Sequence, residues 1–206
     1  EKIVAVGSDQ AVLRLKAKGT RVIDLGGKVL MPGMLDPPPH ATRGGLQLVL
    51  PDLAGEQVAL DELERRLRQW RSDGKAVRGE FLVVGGVPVT YWNDIPALEQ
   101  RFNHGEWAEQ PILFAPNDMH TGWANQAMLK PAAIDPDTIA ALPAEARNTI
   151  GQHPDGTPNG FLADASYYPV TDLLPALPHA TLLSAGRMAL DHYKQLGITG
   201  WMNPLA

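Results

Sequence analysis

The apolar residues of this chain fall into short clusters at its start and then into continuous runs that alternate with helical stripes. Residues 3–6, 12–15 and 21–25 are short β-type runs separated by Gly, Ser and Asp turns. Gly26-Gly27 marks a further turn, and 28–31 reads as another strand ending at Pro32-Gly33. Met34-Leu35-Asp36, three prolines at 37–39 and His40 follow. Leu60, Leu63, Leu67 and Trp70 recur at helical spacing with Glu62, Glu64, Arg65, Arg66 and Arg68 between them. That pattern predicts an amphipathic helix over 58–72, closed near Asp73-Gly74. Residues 81–84 form an unbroken apolar run, as in a buried parallel strand, and stop at Gly85-Gly86. A short helix is expected over 95–102, a second buried strand over 111–115, and helical character over 123–129.

The alternation breaks between Lys130 and Asp172, where prolines at 131, 136, 143, 154, 158 and 169 punctuate the chain. Pro154-Asp155-Gly156 is a turn signal, so this stretch reads as an insertion carrying a hairpin. A helix is expected again over 181–196, with Leu182, Ala185, Ala189, Tyr193 and Leu196 on one face and Gly197 at its C-terminal cap. Residues 198–202 read as one more strand. Buried strands alternating with helices imply a parallel sheet with right-handed crossovers. Only about four such strands are visible, whereas a complete eight-stranded barrel takes ~250 residues. Periodicity alone does not separate the front of such a barrel from a small doubly wound α/β domain.

Composition narrows the function. The 206 residues are 44% hydrophobic and 20% charged, as in an ordinary globular chain. A net charge of -5 with no Lys/Arg run argues against a nucleic-acid surface. Cys is absent, which removes disulfides, thiolate ligands and a cysteine nucleophile. No apolar stretch approaches the ~20 residues that span a bilayer, so no membrane partner is expected. Cytosolic and exported chains are both allowed, the cytosol being slightly favoured. There is no Gly-x-Ser-x-Gly elbow, and Gly85-Gly86 lacks the surroundings of a phosphate loop. His40 and His120 each follow an expected strand, and Asp36 also sits at a strand end. Taken by the residues alone, His40 reads as a loop residue, Asp118 as a helix cap and Asp164 as a turn or strand-end residue. His104, His153, His179 and His192 read as surface, and Trp92, Trp107, Trp123 and Trp201 as core before pocket.

The segment from Thr20 to Asp36 resembles the passage from β-sandwich into first barrel strand in the amidohydrolase superfamily, where the strand continues as Asp-x-His-x-His and its two histidines hold a divalent metal. Three further matches resemble one branch, amidohydrolase family 3, which includes N-substituted formamide deformylases. They are Asp118-Met119-His120 with Asn125-Gln126-Ala127-Met128-Leu129, then Asp155-Gly156-Thr157-Pro158-Asn159-Gly160-Phe161-Leu162, and Leu196-Gly197-Ile198-Thr199-Gly200. The resemblance implies a partial (β/α) TIM-type barrel, about its first half, over 29–206 with an irregular insertion at about 130–175. Residues 1–28 would be part of a small β-sandwich. It also implies a metal-dependent hydrolase of non-peptide carbon–nitrogen bonds, with zinc the expected ion and a small-molecule amide the expected substrate. His120 would be a catalytic contact, and His40 and Asp164 metal ligands. Two departures stand out: Pro38 occupies the place of the first metal histidine, and Asp164 that of a usual glutamate. The expectation is therefore weak or absent metal binding in this chain and self-association or a missing C-terminal part. The competing reading is a catalytically dead or truncated domain that binds or scaffolds.

Overall fold

The computed structural model describes residues 2–37, 40–118 and 120–202. None of residues 2–33 is in a strand. Where a strand was expected over 12–15, Ser8 caps a five-residue helix, α1 (Asp9–Leu13), by accepting a hydrogen bond from the Ala11 amide. The runs at 3–6, 21–25 and 28–31 stay extended and exposed. They have β-type sequence but no neighbour, and an unpaired strand gains nothing over hydration of its own backbone. The Gly26-Gly27 turn does form, with Asp24 accepting from the Gly26 amide.

The first strand, β1 (Met34–Asp36), leads through His40 into α2 (Ala41–Gln47). The amphipathic stretch forms α3 (Leu60–Ser72), with Leu63 and Leu67 fully buried. Next come β2 (Val77–Arg78), β3 (Phe81–Val87), α4 (Ile95–Phe102) and β4 (Ile112–Pro116). The expected helix at 123–129 is divided. Its first part is a strand, β5 (Thr121–Ala124), and only α5 (Gln126–Leu129) is helical. Two short helices, α6 (Pro136–Ala141) and α7 (Ala144–Arg147), precede the hairpin of β6 (Ile150–Gln152) and β7 (Pro158–Ala163). The chain closes with α8 (Tyr168–Thr171), α9 (His179–Gln195) and β8 (Ile198–Trp201).

The strands make a mixed six-stranded sheet, ordered β2-β3-β4-β5-β7-β6, and a two-stranded one, β1-β8. The pairs β3–β4 and β1–β8 are parallel, as the alternation predicts. They lie in separate sheets, however, and β5, β7 and β6 join by antiparallel pairing. Residues 51–53 lie along the far end of β3, with the Leu53 amide donating to the Gly85 carbonyl and the Gly85 amide to that of Pro51.

Alternate residues of a strand face opposite sides of its sheet, so both faces must be covered for β3 and β4 to be apolar throughout. Leu82, Val84, Ile112 and Phe114 point into one cluster with Leu63, Leu67, Phe102, Trp107 and Trp123. Phe81 and Leu113 point into the other with Met128, Leu129, Leu162 and Val170. The remainder is far less covered. Helix α9 buries only Ala185, and Leu183, Met188, Leu190 and Trp201 are exposed. The chain presents 13329 Å² of surface, whereas a compact monomer of its mass presents about 9,400 Å². Among the described residues no helix is long and apolar enough to cross a membrane.

Candidate functional site

Because β3 and β4 are parallel and β5 runs back between β4 and β7, the C-terminal ends of β3, β4 and β7 emerge at one edge. The β4–β5 connection crosses that edge and carries Asp118 and His120. Asp118 turns the chain there: its carboxylate accepts from the amides of His120, at 3.0 Å, and Thr121, at 3.2 Å, and from the Thr121 hydroxyl. It is thus a turn-forming aspartate, and the helix-capping role expected for it falls elsewhere. Thr121 in turn accepts from the Trp92 indole at 2.8 Å, tying the turn to the segment after β3.

His120 and Asp164 meet at this edge. Asp164 follows β7 with φ of 47°, a left-handed backbone that aspartate tolerates better than most side chains. Its amide donates to the His120 carbonyl at 2.7 Å, and its Oδ1 lies 3.5 Å from His120 Nδ1. Both side chains are largely exposed, 76% and 68%, so the pair faces solvent and is free to take a ligand. Behind it Tyr167 packs on Gly122, where a Cβ would come within 2.3 Å of the ring, so only glycine lets the two segments close. Burial pushes the Tyr167 hydroxyl well above its ordinary pKa, with the Asp118 charge adding to the rise and that of Arg43 opposing it. Arg43 belongs to α2, which places that helix near the same edge.

His40 stands at the start of α2 without using its side chain as a cap. It lines a cavity of about 400 Å³ between α2 and α9, together with Asp52, His192 and Tyr193. His192, expected at the surface without context, shares this cavity. Tyr193 donates to Asp36 Oδ2 at 3.1 Å, so Asp36 is engaged at the end of β1. Asp52 is packed against Gly85 and Gly86, where an added Cβ at Gly86, with φ of 61°, would fall on the carboxylate. Burial raises its pKa, partly offset by the hydrogen bond from Ala54. Pro38 lies outside the described residues.

Among the described residues no three His, Asp or Glu side chains gather as a metal-binding group. His120 and Asp164 are brought together, and His40 is not joined with them into such a set. A catalytic divalent site draws on about three protein ligands, so these residues by themselves do not fit one, and no step can be routed through an ion here.

Asn125 is the residue whose importance the pattern hides. It caps α5 by accepting from Met128, accepts from Ile112 on β4, and donates to the carbonyls of Phe102, Trp107 and Gln110, while fully buried. It fixes the return of β5 against β4, and with it the position of the His120 turn. Trp107 and Trp123 are core, as expected; Trp92 is half-buried beside Phe161, and Trp201 stacks obliquely on Tyr193. His153, expected at the surface, pairs with Glu99 at 2.9 Å and fastens the hairpin to α4.

The chain is a mixed α/β domain with strand-end polar residues at one edge of its larger sheet. The amidohydrolase family model matches residues 21–204, and the chain belongs to that family. It is 28% identical, over 96% of its length, to the exoenzymes regulatory protein AepA of Pectobacterium carotovorum subsp. carotovorum, covering 42% of that protein. It is 27% identical, over 82% of its length, to the protein LONG AFTER FAR-RED 3 of Arabidopsis thaliana, covering 28% of it. The chain thus spans less than half the length of these relatives. Among solved structures it is similar to uncharacterized metal-dependent hydrolases from Pyrococcus horikoshii OT3 and Pyrococcus furiosus. The TM-score is 0.49 for both, at 19% and 18% identity, with 93% and 96% of this chain and 34% and 37% of those chains covered.

Proposed function

We propose that the chain forms one wall of the active site of a metal-dependent hydrolase of non-peptide carbon–nitrogen bonds, of the N-substituted formamide deformylase type. The reading is carried by the approach of His120 to Asp164, two residues of separate family motifs, at the edge where parallel strands end. Asp164 Oδ1, 3.5 Å from Nδ1, would hold the ring on closing to hydrogen-bond distance, leaving Nε2 to exchange a proton with, or donate to, a substrate amide. In this reading residues 29–206 are the first half of a (β/α) barrel, residues 1–28 belong to a β-sandwich, and zinc is held by the parent protein with ligands beyond those described. His40 would contribute to that set. The chain by itself is then inactive, and its exposed apolar surface is met by self-association or by the rest of the parent.

One observation favours a second reading, a binding or scaffolding module without catalysis: Pro38 offers no ligand atom where the family places a histidine. The regulatory name of the Pectobacterium relative points the same way. Hydrolysis of N-formyl and N-acyl amides by the zinc-supplemented parent protein separates them. Turnover that falls about 100-fold or more in H120A supports the hydrolase; undetectable turnover supports the module. Full activity in H120A would remove His120 from the reaction.

A further inference from the structure

At the opposite end of the sheet from His120, a second cavity of about 400 Å³ lies between residues 49–50, the turn into β2 and the 175–181 segment that enters α9. Two cations line it, Lys75 and Arg78, and none of its lining residues is acidic. Lys75 has a carboxylate close by, Asp73 at 3.4 Å. Arg78 differs. Its guanidinium donates to the carbonyl of Pro175, while its Nε is shut away from water without an acceptor. Burial is the sole influence on its pKa, which it lowers; no Asp or Glu among the described residues offsets it.

Taking a guanidinium out of water is costly unless a counter-charge and hydrogen bonds replace the solvent. Here the buried Nε has no acceptor among the described residues, a backbone carbonyl takes another of the guanidinium donors, and the open space beside the group is lined by a second cation. Arginine presents a planar set of donors that matches carboxylate or phosphate oxygens. The cavity is also larger than a bare oxyanion needs, and falls in the range of small-molecule sites, ~300–1,000 Å³. We propose that it binds a small organic anion. Its oxyanion head, a carboxylate or a phosphate ester, is held by Arg78 with Lys75 beside it, and its apolar body lies on Val49, Leu50, Leu177 and Pro178.

The test is a titration of the full chain with benzoate, phenyl phosphate and neutral benzamide at fixed ionic strength, following the amide resonances of residues 75–79. Saturable binding of benzoate or phenyl phosphate is expected, the tighter of the two naming the head group. R78Q should weaken it about tenfold or more, K75Q should weaken it less, and benzamide should bind far more poorly. Benzamide binding as well as the anions, no saturable binding of either anion, or unaltered affinity in R78Q overturns the proposal. Should R78Q fail to fold, R78K keeps the charge but loses the planar donors. Wild-type affinity in both R78K and K75Q then overturns it equally.

Discussion

Replacing Asn125 by Ala is the most informative single perturbation of this fold. The side chain is fully buried; its oxygen accepts from the amides of Ile112 and Met128, and its two N–H donors are shared among the carbonyls of Phe102, Trp107 and Gln110. Ala leaves the Ile112 amide without its acceptor, while that of Met128 keeps the backbone carbonyl of residue 125 at 2.9 Å; a buried donor left unsatisfied costs about 1–3 kcal/mol. The carbonyls suffer less, because an oxygen has two lone pairs and that of Trp107 also accepts from Gln110. A loss of about 2 kcal/mol follows, a sizeable part of the ~5–15 kcal/mol that holds a domain together. Urea unfolding followed by fluorescence of the buried Trp107 and Trp123 reads it directly. For a slope near 2 kcal/mol per molar, the midpoint should fall by about 1 M. N125D should do no better at neutral pH, since it sets a carboxylate against three carbonyls. A cost of about 0.5 kcal/mol or less for N125A would refute the reasoning, because the Ile112 amide would then have found another acceptor.

Further outcomes follow from the same geometry. Asp52 has its pKa raised in the folded state by burial, so its charged form opposes folding and stability drops as pH rises through the folded value. D52N should therefore raise the neutral-pH midpoint, with the gain vanishing below the ordinary aspartate range; a pH-independent difference would contradict this. Glu62 is held down to about 2, first by its hydrogen bonds to Arg65 and Arg66. Its contribution is complete above the ordinary glutamate range and lost as pH falls toward 2, so E62Q should flatten acid unfolding over that window. Metal analysis after dialysis should find well below one equivalent of zinc, and a tightly held stoichiometric ion that H40A releases would show that the Pro38 substitution is compensated. Sedimentation should detect self-association through the exposed α9 and β1 faces; a compact monomer at all concentrations would show that this apolar surface is tolerated bare.

What could be read from the pattern was what local physics decides. Helices α3 and α4 and strands β3 and β4 were legible because apolar spacing on a helix and unbroken apolar runs in a two-sided sheet leave little choice. The hairpin was legible through Pro154-Asp155-Gly156. The stretch 123–129 misled because Trp123, Ala124, Ala127, Met128 and Leu129 are apolar positions that suit either period. Only pairing with Phe114 and Phe161 makes Trp123 a strand residue. The N-terminal runs misled for the opposite reason, since β propensity without a partner strand builds nothing. For the site, the motif placed His120 and Asp164 in sequence but not in contact. That contact depends on the left-handed turn at Asp164, and composition does not announce it. Asn125 was visible only as a letter in a motif; its five partners come from four separate segments.

The parallel pair β1–β8 bears on how the chain reaches its fold. Thr199 donates to the carbonyl of Met34 across 165 positions of sequence, and closing so long a loop costs about 4.5 kcal/mol of chain entropy. The β6–β7 hairpin closes over a handful of residues at roughly a third of that cost. Both apolar clusters lie between Leu53 and Leu174, so the large sheet can condense before the termini meet. The β1–β8 sheet with its helices then docks late and opens first, as a separate cooperative unit in hydrogen exchange. Exchange at Met34–Asp36 should accordingly outpace exchange at Phe81–Val87.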